Sequence, residues 1–134
     1  MKPQVLITRP VSAAAIELLS SVCNTLPRIE LQRRQGGDFR LVSECTDAML
    51  LGTTERIDDL LLQKFPHLRV IACTFRLPEH IDVAACTRRG IWVTSVATRD
   101  PGSAAEIEAA RNILDALGGD TPRGAMNEVM QFAA

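Results

Sequence analysis

Arginine, threonine and histidine stand where the strands of an alternating β/α chain would end: Arg9 after residues 5–8, Thr53 and Thr54 after 48–51, Arg76 and His80 after 70–73. These residue types suit a small anion, because a planar guanidinium holds an oxyanion through two N–H groups and threonine hydroxyls add donors. Arg76, Thr53, Thr54 and Arg9 are therefore the candidate anion ligands. Arg76 keeps two readings, an anion ligand or a surface arginine in a mobile loop. A flavin mononucleotide site is excluded, since Pro10 removes a backbone donor from the first loop where phosphate would be cradled. A phosphoryl-accepting receiver is excluded too, because Gly52 and Thr53 occupy the acceptor region and Thr8 and Arg9 the acidic one. Neither GxGxxG nor a P-loop occurs anywhere in the chain.

The remaining reactive side chains offer less. His67 follows Pro66 in a helix-to-strand turn and reads as a surface residue, whereas His80 lies in a loop at a strand end and is the better acid or base. Cys23, Cys45, Cys73 and Cys86 are scattered through apolar surroundings with no CxxC pair and no histidine at metal-ligand spacing, so all four read as reduced core residues. No metal site is expected. A net charge of −1 over 134 residues provides no positive field for nucleic acid or acidic membranes. No run reaches the roughly 18 apolar residues of a membrane span, and the N-terminus lacks a signal-peptide core, which points to the cytoplasm.

Strands and helices must position these loops. Residues 5–8 form a first strand, and Pro10 opens a helix with Val11, Ala15, Leu18, Leu19 and Val22 on one face. Residues 26–31 read as an edge strand because Pro27 cannot donate to a ladder. Asp38 starts a helix through Phe39, Leu41, Val42 and Cys45. The third strand, 48–51, precedes an amphipathic helix over 56–65 with Ile57, Leu60, Leu61 and Phe65 inward. Residues 70–73 are continuously apolar, as a parallel strand covered on both faces requires. Asp82 caps the next helix, Gly90 ends it, and 91–93 make the fifth strand. Residues 102–117 form the last helix, with Ser103 and Glu106 as a capping box, Ile107, Ala110, Ile113, Leu114 and Leu117 inward, and Gly118 and Gly119 at its end. A tail of about fourteen residues follows. Strict alternation predicts one α/β domain over residues 1–134, a flavodoxin-like doubly wound parallel sheet of order 2-1-3-4-5 in three α/β/α layers.

The segment VIACTFRLPEHIDVAACTRRGIWVTSV, residues 70–96, resembles the substrate-binding domain of the D-2-hydroxyacid dehydrogenases, its phosphite dehydrogenase branch most closely. AMLLGTTERIDDLLLQKFPHLRVIAC is similar to the family's third strand, helix and fourth strand, and EAARNILDALGGDTPRGAMN to its closing helix and tail. The resemblance implies a seam within 97–109, where such enzymes insert an NAD-binding Rossmann domain, leaving 1–96 as the N-terminal segment and 110–134 as the closing one. A second alignment makes the last helix the outgoing crossover helix. The family's fourth loop binds the substrate anion through glycine N–H groups. Here it reads Arg76, Leu77, Pro78, Glu79, with Leu77 among the implied anion contacts and Arg76 where phosphite dehydrogenases carry a lysine.

The resemblance thus implies a stand-alone substrate-binding domain without catalytic residues, and without NAD unless a separate Rossmann domain supplies it. A surface left by a missing domain favours a homodimer. The other expectation is a small-anion binding protein for phosphite, phosphate or a 2-hydroxy acid, or one subunit of a split dehydrogenase.

Overall fold

The computed structural model describes residues 2–26, 29, 31, 37–52, 55–76, 78–100 and 102–129. Its elements alternate as β1 (Gln4–Ile7), α1 (Ala13–Ser20), β2 (Asn24–Thr25), α2 (Gly37–Cys45), β3 (Ala48–Leu51), α3 (Asp59–Leu62), β4 (Val70–Cys73), α4 (Val83–Arg88), β5 (Trp92–Thr94) and α5 (Ser103–Leu117). The strands form one sheet of order β2-β1-β3-β4-β5, parallel at every pairing, which is the topology that the alternation predicts.

Side chains alternate across this sheet and separate two cores. Leu6, Met49, Leu51, Ile71, Cys73 and Val93 face α2, α3 and α4, where Val42, Leu61 and Cys86 cover them. Val5, Ala48, Leu50, Val70, Ala72 and Trp92 face α1 and α5, under Leu19, Ala109, Ala110 and Ile113. Both faces of β3 and β4 are thus buried, which is why their sequences carry no polar residue. The alanines of α5 let it lie close on the sheet, while Phe39 of α2 meets Phe65 edge-on at 6.0 Å. The Asp59–Arg89 contact at 2.9 Å ties α3 to α4, and that guanidinium bond holds the Asp59 carboxyl below its usual range.

Several elements depart from the sequence expectation. The edge strand lies at Asn24–Thr25, ahead of 26–31, because the turn after α1 drops Cys23 into the core and Leu26 N–H already donates to Val5 O. Pro27, Arg28 and Glu30 of the expected strand lie outside the described residues. Ser12 caps α1, its Oγ accepting from Ala15 N–H, so the helix begins three residues beyond Pro10 and Val22 falls after it, exposed. Asp38 sits inside the first turn of α2, and Leu41 and Cys45 point to solvent. The helix expected over 56–65 shrinks to one turn capped by Asp58; Leu60 is 63% exposed, while Ile57, Leu61 and Phe65 are buried as expected, Ile57 in a bridge to Ile81. Asp82 caps α4 by accepting from Ala85 N–H, and Gly90 follows it at φ +73°, as expected.

Residues 124–127 of the expected tail form a structural strap, and residues 130–134 lie outside the described residues. The strap runs antiparallel beside β5, with Ala125 opposite Thr94 and Met126 N–H donating to Val93 O at 2.8 Å. Asn127 completes the edge with its side chain: Oδ1 accepts from Val93 N–H, and Nδ2 donates to Ile91 O and Thr87 Oγ1. Buried Asn112 of α5 closes a ring with the strap. Its Oδ1 accepts from Gly124 N–H, its Nδ2 donates to Ser95 O, and Ser95 N–H donates to Gly124 O. A Cβ on Gly124 would stand 2.2 Å from Ser95 O and 2.7 Å from Asn112 Nδ2.

Gly124→Ala should therefore cost about 2–4 kcal/mol, and Asn127→Ala about 1–3 kcal/mol, in urea unfolding. A change below 0.5 kcal/mol (roughly the scatter of neutral surface substitutions) would remove the strap from the account. Burial pushes the Cys73 and Cys86 thiols up to about 12 and raises Cys23. Only the unfolded chain then sheds the Cys73 and Cys86 protons near pH 9.0, so stability should be fully present below that pH and decline as pH rises toward about 12. Alkylation at neutral pH followed by peptide mapping should label Cys45 first, with the other three protected until unfolding.

Candidate functional site

Two threonines tie the carboxyl ends of the central strands together. Thr8 Oγ1 donates to Leu50 O and accepts from Gly52 N–H, each at 3.3 Å, locking the end of β1 to the end of β3. Thr74 Oγ1 donates to Leu51 O at 3.3 Å and does the same for β3 and β4. Beyond them opens a cleft of about 410 Å³ lined by Arg9, Pro10, Val11, Gly52, Thr74, Gly102 and Glu106. It lies where strand order reverses about β1, the usual place for a ligand in an open α/β sheet.

The walls of this cleft are held in place. The stem of Arg9 lies across Gly52, where a Cβ would meet Arg9 Cβ at 3.2 Å and Cδ at 3.3 Å. Any larger residue at position 52 would push the arginine aside. Arg9 has no ion pair or hydrogen bond among the described residues, so its guanidinium is open to a ligand.

The opposite wall is the start of α5, which differs from the expected capping box. Gly102, at φ +100°, takes the N-cap position without a side-chain bond, and Ser103 is already helical. Ser103 Oγ donates to Ser12 Oγ at 3.3 Å, and Glu106 accepts from Ser12 N–H at 2.8 Å through Oε1. Both side chains clamp α5 to α1 instead of capping their own helix. The sequence flags Glu106 only as a helix cap, because its actual partner lies 94 positions away.

The other candidates divide. Thr53, Thr54 and Leu77 lie outside the described residues. Arg76 is exposed and does not line the cleft, so Arg9 is the expected anion ligand found there. His67 is exposed in its turn. His80 lines a separate cleft of about 440 Å³ with Arg56, Ile57, Asp58, Glu79, Ile81 and Asp82. Its ring packs 5.2 Å from that of Phe75, and its backbone oxygen accepts from Ile57 N–H. Asp58 and Asp82 each spend a carboxylate oxygen on a helix cap. Among the described residues no three His, Cys, Asp or Glu side chains gather in a metal-binding group, and no helix is long and apolar enough to cross a membrane.

These residues do not fit a dinucleotide. The first strand-to-helix turn carries Pro10 where a pyrophosphate cradle needs an N–H, and the Arg9 stem covers Gly52. Residues 95–102, eight in all, carry the chain from Thr94 of β5 to Ser103 of α5, with Ala97 N–H donating to the Glu108 carboxylate.

The family profile described as D-isomer specific 2-hydroxyacid dehydrogenase, catalytic domain, matches residues 5–127. The chain is similar to the glyoxylate reductase of Pyrococcus furiosus, 30% identical over 122 residues covering 85% of this chain and 36% of that protein. The glyoxylate reductase of Thermococcus litoralis is 32% identical over 127 residues, covering 87% and 37%. Among solved structures, the PH0520 protein from Pyrococcus horikoshii OT3 superposes with a TM-score of 0.61 at 26% identity, covering 72% of this chain and 28% of that one. The chain spans little more than a third of the length of the relatives it matches. With a sheet of the same kind and a match from β1 to the strap, the chain belongs to the D-isomer specific 2-hydroxyacid dehydrogenase family, through its catalytic domain.

Proposed function

We propose that this chain acts as a substrate-binding-domain module that holds a small monocarboxylate at the Arg9 cleft and transfers no hydride by itself. The direct join from β5 to α5 through residues 95–102 carries this reading, since the resemblance implies a cofactor domain at that point. Hydride transfer needs the nicotinamide held at reacting distance, and no residue lining the cleft is placed to do that. The names of the matching relatives favour a 2-oxo or 2-hydroxy acid such as glyoxylate as the ligand. Phosphite, the anion that the phosphite dehydrogenase resemblance implies, is the comparison ligand. Four free cysteines support a reducing compartment such as the cytoplasm. Exposed Leu41 and Leu60, on the face of α2 and α3, support a homodimer.

Calorimetric titration should show glyoxylate and lactate binding at millimolar affinity, weakened about tenfold by Arg9→Gln, the loss of one charge-assisted contact. Unchanged heats in that variant would remove Arg9 as the ligand. Nicotinamide fluorescence should stay unchanged when NADH is titrated into the chain alone, and a saturable rise would overturn the module reading. Sedimentation should report a dimer; a monomer over a wide concentration range would end the dimer proposal.

A further inference from the structure

The cleft that holds Arg9 also holds Glu106, and the two opposite charges do not pair with each other. Arg9 is exposed and Glu106 half-buried. The Arg9 stem is laid over Gly52, and Glu106 is fixed through Oε1 by the Ser12 N–H, which leaves Oε2 without a partner among the described residues. A cation and an anion that line one cleft without pairing form a complementary pair of contacts for a ligand that carries both charges itself.

We propose that the Arg9–Glu106 cleft selects a small α-amino acid in its zwitterionic form, with the carboxylate on Arg9 and the ammonium on Glu106 Oε2. The inference rests on the reading of this cleft as the carboxylate site and names what the ligand carries on the next carbon. Pro10 and Val11 supply the apolar wall for a short side chain, and Gly52 and Gly102 keep the remaining walls small.

The alternatives meet Glu106 less well. A 2-oxo acid presents only an acceptor at carbon 2, which would face the free carboxylate oxygen without a proton between them. A dianion such as phosphite meets a full like charge. A 2-hydroxy acid can donate to Glu106 without the ion pair and should fall between.

The test is a titration of the full chain followed by backbone amide NMR shifts at Arg9, Gly52, Gly102 and Ser103, with glycine, alanine, lactate, pyruvate, phosphite and N-acetylalanine as probes. Alanine should bind about tenfold more tightly than pyruvate, with lactate between them, and acetylation of its nitrogen should abolish the advantage. Glu106→Gln keeps an oxygen for Ser12 N–H while removing the charge; it should cancel the preference for alanine, weakening alanine and strengthening pyruvate, whose oxygen no longer faces a carboxylate. Should this variant not fold, the N-acetylalanine comparison on the unmodified chain decides alone. Equal binding of alanine, pyruvate and N-acetylalanine would overturn the selection by Glu106 while leaving the carboxylate site intact. No response at these amides to any carboxylate would overturn both.

Discussion

The free edge of β5 sets the terms for the rest of the molecule. A parallel strand at a sheet edge leaves N–H and C=O groups that must find partners, and along β5 the Val93 N–H and C=O and the C=O of the preceding Ile91 have no sixth parallel strand to meet them. The chain satisfies them with a strap, using Met126 backbone and the amide of Asn127. An amide suits this because it carries an acceptor and a donor at the same spacing as a peptide unit, and so extends the ladder by one position. Asn112 then joins the strap to α5 and to Ser95 in a closed ring within the core.

That ring has consequences at the other end of the sheet. With Asn112 fixed in its middle and small residues against β3 and β4, α5 has one axial position. Its first turn therefore arrives beside α1, where Glu106 can take the Ser12 N–H and Gly102 can form the cleft wall. Thr8 and Thr74 place the facing wall by locking β1, β3 and β4 together at their carboxyl ends. The cleft thus follows from the way the edge is closed and the strands are tied, with Glu106 held by the Ser12 N–H and the Arg9 stem packed over Gly52.

Much of the fold was legible in the residues. Unbroken apolar runs at 48–51 and 70–73 require strands covered on both sides, Asp82 and Gly90 bound one helix by known capping chemistry, and the alternation of elements leads to the observed strand order. What misled were local signals with tertiary competitors. Ser103 and Glu106 have capping-box spacing, yet the first helical residue is Ser103 itself, and Ser12 outbids the helix for both side chains. Leu60 fits an inward helical pattern over 56–65 that Asp58 interrupts by capping at its own position. Cys45 sits at the end of α2 with a core-like neighbourhood in sequence, but its side of the helix faces solvent.

By itself the sequence determined the elements, their parallel arrangement and the presence of an arginine at the end of the first strand, because these depend on periodicity, chain direction and residue type, all local quantities. Only the tertiary structure decided that residues 124–127 are a strap, that Arg9 and not Arg76 lines the cleft, and that Glu106 stands in the same cleft. Each of these depends on which groups meet across tens of residues. Buried polar groups must find partners wherever the fold brings them, and no spacing along the chain encodes that distance.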